Sequence, residues 1–262
     1  MLMKYFKLYT AFFRASFTAD LEYRANFATR IITDIFWYLA QIVAFEVLYQ
    51  HTDRIGSWNV EQTRVFLGVL FVVDALYMIF ISENLDRFSE KIRKGELDLL
   101  LAKPVNSQFM VSLQRANTAI IGNLVMGLSW LIWSLAHLPD FSWIRVLWLV
   151  CLIPCGLVVT YSCRFFFSAT AVVFTKSDNL QFMWYQIYKL GMRPDSIYAP
   201  WIRIVLMTIF PVAIVASVPA RFLVEEPEPL LFLWSLAVSG ILLWSSNRFW
   251  RHCLKFYSSA SS

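Results

Sequence analysis

Charge is what this chain has least of. Only 16% of its 262 residues are Asp, Glu, Lys or Arg, while 58% are hydrophobic and 17% aromatic, and mean hydropathy is +0.56. A water-soluble domain of this length needs far more charge to keep its surface wet. Catalytic side chains are scarce too. The three histidines, His51, His137 and His252, lie far apart at the ends of apolar runs, which argues against a triad or a metal cluster. The four cysteines, Cys151, Cys155, Cys163 and Cys253, have no histidine at metal-ligand spacing and read as small packing residues. Eight glycines never form G-x-x-x-x-G-K-[ST]; Gly122 and Gly127 have the separation but are followed by Leu128. The chain therefore has no phosphate-binding loop, and nothing in it reads as an active site. The basic N-terminus lacks a short apolar stretch followed by a small-residue cleavage site, so no cleaved signal peptide is expected.

Long apolar runs are what it has instead. At 1.5 Å per residue, about 20 apolar residues cross a hydrocarbon core. Six runs of that order predict an all-α, polytopic protein, a single transmembrane domain over 1–262, with spans at about 31–49, 65–81, 116–135, 143–173, 201–218 and 230–249. The fourth is too long for one perpendicular crossing, so it tilts, kinks near Pro154 or extends beyond the membrane. The fifth contains Pro211, with Pro219 just after it. Residues 1–30 mix aromatics with Lys4, Lys7, Arg14, Arg24 and Arg30, the pattern of an interfacial amphipathic helix.

The basic residues set the orientation. Alternate connections place those five with Arg87, Lys91, Arg93, Lys94, Lys103, Arg115, Lys176, Lys189, Arg193, Arg203, Arg248, Arg251 and Lys255 on one side. Only Arg54, Arg64, Arg145 and Arg221 fall on the other, and Arg164 lies inside a span. Positive charge collects in the cytoplasm, so both termini are expected there. The net charge of +5 thus serves topology and anionic headgroups rather than nucleic acid.

Ionisable residues inside spans are costly and are the candidates for a pathway. Asp34 follows Arg30 by four residues, the spacing of a helical pair. Asp74 sits in the middle of the second span with no basic residue within a turn. Arg164 either supplies its partner across helices, or each faces a polar cavity. Glu46 falls near the outer interface.

The most informative stretch is 83–106. Leu85, Phe88 and Ile92 recur at helical spacing among charges, Gly95 ends that helix, and Pro104 ends the short run 97–102. This is either a solvated connection or a rigid knob presented to a soluble partner. The wording from Ile92 to Asn106, IRKGELDLLLAKPVN, resembles a segment of ABC-2 type permeases, in particular the six-span bacterial branch called ABC-2 membrane family 6. PVAIVASVPAR at 211–221 resembles that branch's proline-flanked fifth span.

The resemblance implies a type V exporter-like transmembrane domain of an ABC transporter in the bacterial cytoplasmic membrane. It would be a non-catalytic subunit that pairs with a second permease chain, identical or related, within membrane lipid. Two cytosolic ATPase subunits would bind ATP and Mg, and this chain would bind no cofactor. Contact with the ATPase would fall on Arg93, Lys94, Gly95, Glu96, Leu97, Asp98, Lys103, Pro104, Val105 and Asn106. The implied cargo is a hydrophobic or cationic small molecule or lipid-like compound. The stretch 176–200, rich in Trp184, Tyr185, Tyr188 and Tyr198, departs from a simple pattern and reads as a loop, an interfacial helix or a second docking element. Two other readings compete: a secondary transporter or channel using Asp74 and Arg164, and a membrane scaffold that transports nothing.

Overall fold

A computed structural model describes residues 2–22, 24–139, 141–174 and 178–257. Among these the chain is helical, apart from an isolated bridge between Ile55 and Trp58. Helix α1 (Leu2–Glu22) leads into α2 (Arg24–Tyr49), and a short loop returns the chain into α3 (Val60–Tyr77). Asn59 starts α3 with a full capping box: its side chain accepts from the Gln62 amide, and the Gln62 side chain accepts from the Asn59 amide. Five continuous helical stretches are long and apolar enough to cross a membrane: Phe27–Tyr49, Val60–Arg93, Thr118–Ala136, Trp143–Phe174 and Pro229–Phe256. They contain α2, α3, α8 (Ile121–Ala136), α9 (Val146–Ala169) and α14 (Pro229–Cys253).

The centre of the molecule is α3, which is buried nearly all round, as its unbroken apolar sequence requires. It approaches α8 through glycines. A Cβ on Gly68 would lie 2.7 Å from the Leu131 Cα, and one on Gly127 would lie 3.0 Å from the Phe71 Cβ. Without a hydrophobic drive between helices in lipid, such close backbone contact supplies the attraction. Helix α9 passes through Pro154 without interruption and packs along α14.

The apolar run 201–218, expected as a fifth span, does not form one helix. Its residues make α12 (Pro200–Thr208), an irregular turn at Phe210 and Pro211, and then α13 (Ser217–Val224). Pro211 lacks the amide that would continue the α12 ladder. The charges decide the outcome: Arg203 and Arg221, assigned above to two sides of a bilayer, meet at the buried carboxylate of Asp195. Arg203 donates to Asp195 Oδ2 at 2.9 Å, Arg221 donates to the same oxygen, and the Asp195 amide donates to Ser217 Oγ at 3.1 Å. Residues 201–218 therefore enter and leave at the same end of the molecule.

Helix α11 (Asp178–Gly191) occupies part of the stretch 176–200 that the sequence left open. Near its start, Gln181 donates to Ser89 Oγ at 2.9 Å. In its last turn, Tyr188 reaches Asp74 of α3. Beyond its end, Ser196 lies against Gly56, whose φ of +65° and lack of a Cβ admit the contact. The segment 181–196 thus runs from Ser89 past Asp74 to the Gly56 loop.

Candidate functional site

Two polar centres and one surface layer account for the sequence-predicted site residues other than Asp34. The layer begins where α3 gives way to a π-helical turn, Met78–Ser82. A π turn displaces the regular ladder and often marks a working position; here the Ile79 carbonyl accepts from the Asn117 amide at 2.9 Å. The chain continues as α4 (Glu83–Asp86), α5 (Phe88–Arg93), α6 (Glu96–Leu101) and α7 (Ser107–Leu113). The expected single charged helix is interrupted at Arg87, so Leu85 and Phe88 fall on successive short helices.

Leu85, Phe88, Ile92, Leu97 and Leu100 are all buried, against Phe165 of α9 and Trp250 of α14 among others. Asn84 fastens the layer at a second point, with its Oδ1 accepting from the Arg115 amide at 2.9 Å and its Nδ2 donating to the Arg115 carbonyl at 2.7 Å. Glu83 lies between Arg87 and Arg115 at 3.1 and 3.0 Å. Gly95 has φ +71°, the left-handed geometry of a helix end, and turns α5 into α6. Asn106 caps α7 by accepting from the Phe109 amide at 3.0 Å.

The anchored layer exposes a tip. Arg93, Lys94, Glu96, Lys103, Pro104 and Asn106 are exposed, Gly95 and Val105 are half-buried, and Leu97 is buried. Leu99, which the sequence reading did not single out, is 69% exposed at the centre of this tip. An exposed leucine on an otherwise anchored helix is the signal that would have found it. Glu90 pairs with Lys94 at 2.7 Å and holds its ammonium above the usual lysine pKa. Asp98 is half-buried beside Tyr257, whose phenol is pushed up first by burial and then by that carboxylate. Helix α1 rests on the layer: Lys4 Nζ donates to the Pro104 carbonyl at 3.3 Å, the Ala116 amide to Ser16 Oγ at 3.1 Å, and Thr118 Oγ1 to Asp20 Oδ2 at 2.6 Å.

Arg164 and Asp74 do not pair. Arg164, buried on α9, donates to Asp86 Oδ1 of α4 and to the side-chain and backbone oxygens of Gln181 on α11, at 3.2 and 3.4 Å. It joins the surface layer to two long helices through one guanidinium, whose planar fork suits several acceptors. Asp74 accepts from Tyr38 of α2 at 3.1 Å and from Tyr188 of α11 at 2.9 Å. Tyr38 is also stacked on Phe71, ring centroids 4.2 Å apart. Two phenols on neighbouring helices thus take the place of the cation expected from the sequence. Asp34 lies apart from both centres, in a recess with Arg30, Thr33, Ser82 and Asn117. Glu46 makes a two-pronged pair with Arg64, at 2.6 and 2.7 Å.

The family description "ABC-2 family transporter protein" matches residues 35–261, from within α2 to past the last described residue. The chain belongs to the ABC-2 transporter family. No curated protein and no solved structure matches it. As an ABC-2 family chain with five long apolar helices it is a multi-pass membrane protein, and its kinship is that of an ABC permease subunit. Helix α1 lies before the matched region.

Proposed function

We propose that this chain is the permease subunit of an ABC exporter and that a separate cytosolic ATPase docks on the tip formed by Arg93–Asn106. The observation that carries the reading is the contrast within 83–106. One face is locked into the bundle by Leu85, Phe88, Ile92, Leu97 and Leu100, while Glu96, Leu99 and Lys103 stand free of it. A rigid mount with an exposed mixed apolar and charged tip is what transmission of force from a soluble partner needs. Through Arg164 a displacement of α4 reaches α9 and α11 together. ATP and Mg would be held by the partner.

Helix α11 is in this reading the sixth crossing, with α12 and α13 a hairpin that dips into the outer half and returns. At 14 residues α11 is about 21 Å long, short of a ~30 Å hydrocarbon core, so in this reading the turns that flank it complete the crossing. Moving Arg193 and Arg203 to the outer end leaves the charge asymmetry intact, because the end that carries α1 and the 83–118 layer keeps its many Lys and Arg. That end is then cytoplasmic, with both termini, in a bacterial inner membrane. Two such chains, identical or related, would pair side by side around a path for a hydrophobic cargo.

The test is co-purification of the full chain with the ABC ATPases of its own cell. Glu96→Lys and Leu99→Asp should abolish the complex while the chain still inserts and migrates as wild type in detergent. An intact complex with both substitutions would remove the docking assignment.

A further inference from the structure

The outer half of the groove between α2 and α11 is a polar place in an apolar surface. Its volume is about 550 Å³, and Trp37, Gln41, Tyr185, Lys189 and Arg193 are among its lining residues. None of the lining residues is Asp or Glu. Tyr38 and Tyr188 meet at Asp74, so Gln41 and Lys189, three and one residues further along their helices, lie near the level of that carboxylate. Lys189, in the last turn of α11, and Arg193, just beyond its end, are both exposed, and Lys189 stands 4.5 Å from the Tyr185 ring. Among the described residues neither takes part in an ion pair. Arg203, at the mouth of the larger groove between α12 and α14, is by contrast already neutralised by Asp195.

Cations left on an outward face at this depth are expensive unless something answers them. A second copy related by a two-fold axis would present the same cleft, cations included, and could not supply the anion from it. We infer that this cleft binds an amphiphile with a single anionic head, a carboxylate or a phosphate. Lys189 and Arg193 hold the head, and Trp37, Phe45 and Leu48 lie along the apolar body. The inference rests on α11 being a crossing helix and narrows the cargo proposed above: the lining disfavours a cation.

The experiment uses the full chain in phosphatidylcholine nanodiscs and a photoreactive diazirine fatty acid, with the amine-headed analogue of equal chain length as control. Peptide mapping should place the acid's adducts on 37–48 and 185–193. Lys189→Gln with Arg193→Gln should cut them about tenfold, as expected for loss of a charge-assisted contact, while Lys189→Arg keeps them. Suppression by added phosphatidylglycerol would identify a bilayer lipid as the natural source, and persistence would identify a free acid; either supports an anion site. Equal labelling by the amine probe, or no change in the double variant while elution stays monodisperse, would overturn the inference. Because no ATPase is present, failure to recover the ATPase complex would sink the permease reading separately.

Discussion

At the scale of single residues, buried carboxylates hold this protein together, each in a different way. Asp195 is answered by two arginines and is 1% exposed. Removing one side of a buried ion pair leaves an uncompensated charge, so Asp195→Asn should destabilise by about 3 kcal/mol. Thermal unfolding in detergent measures it; an unchanged midpoint would mean that the staple between α12 and α13 contributes nothing. Asp74 is answered by neutral donors, one on each carboxylate oxygen; an asparagine there keeps the acceptor for Tyr188, and its amide can donate to Tyr38, whose hydroxyl then donates to the Phe71 carbonyl 3.4 Å away. Asp74→Asn should keep near wild-type stability, whereas Asp74→Leu strands the Tyr38 and Tyr188 hydroxyls in the interior and should cost about 3 kcal/mol. The same melts distinguish the two, and equal losses would point to a role for the charge itself.

At the scale of elements, glycines set distances and directions. Any side chain at Gly68 collides with the Leu131 backbone, so Gly68→Val should force α3 and α8 apart and cost about 2 kcal/mol or more. Lower yield of monodisperse protein and a lower melting midpoint are the readouts. Gly95→Ala is a local test. Its left-handed φ costs an L-residue about 1 kcal/mol, a strain confined to the corner between α5 and α6. The fold should survive it, while affinity for the ATPase falls as the tip re-aims. Equal affinity for the ATPase would show that the corner's direction is irrelevant to docking. The five long helices and the Gly95 and Pro104 breaks were legible in sequence because period, length and breaker residues are local properties. The division of residues 201–218 was less so: Pro211 signalled a break, but a proline kink inside a span gives the same signal.

At the scale of the whole molecule, the issue is which connections share a side of the membrane. A single span over 201–218 puts Ala199 and Glu226 on opposite faces; the contacts around Asp195 put both near one end of the molecule, which the proposed topology places outside. In a variant lacking its four native cysteines, Ala199→Cys and Glu226→Cys should both react with an impermeant maleimide applied from outside intact cells. Lys103→Cys should react only after permeabilisation. Labelling of Glu226→Cys without Ala199→Cys would restore the single span and remove α11 as a crossing.

The sequence by itself determined the solvent, the helical class and the family kinship, because apolar run length and the Ile92–Asn106 wording depend only on neighbouring residues. It determined as well that 83–106 carries a face to bury and a face to expose. Only the tertiary structure decided the partners of Asp74 and Arg164, the meeting of Asp195 with Arg203 and Arg221, and the course of α11. Those contacts join residues far apart in the chain, and α11 is too polar to announce a crossing on hydropathy alone. Its polar side meets Ser89 and Arg164 at Gln181 and Asp74 at Tyr188, and opens onto the α2 cleft at Lys189, so what packs around it rather than its own hydropathy sets its course.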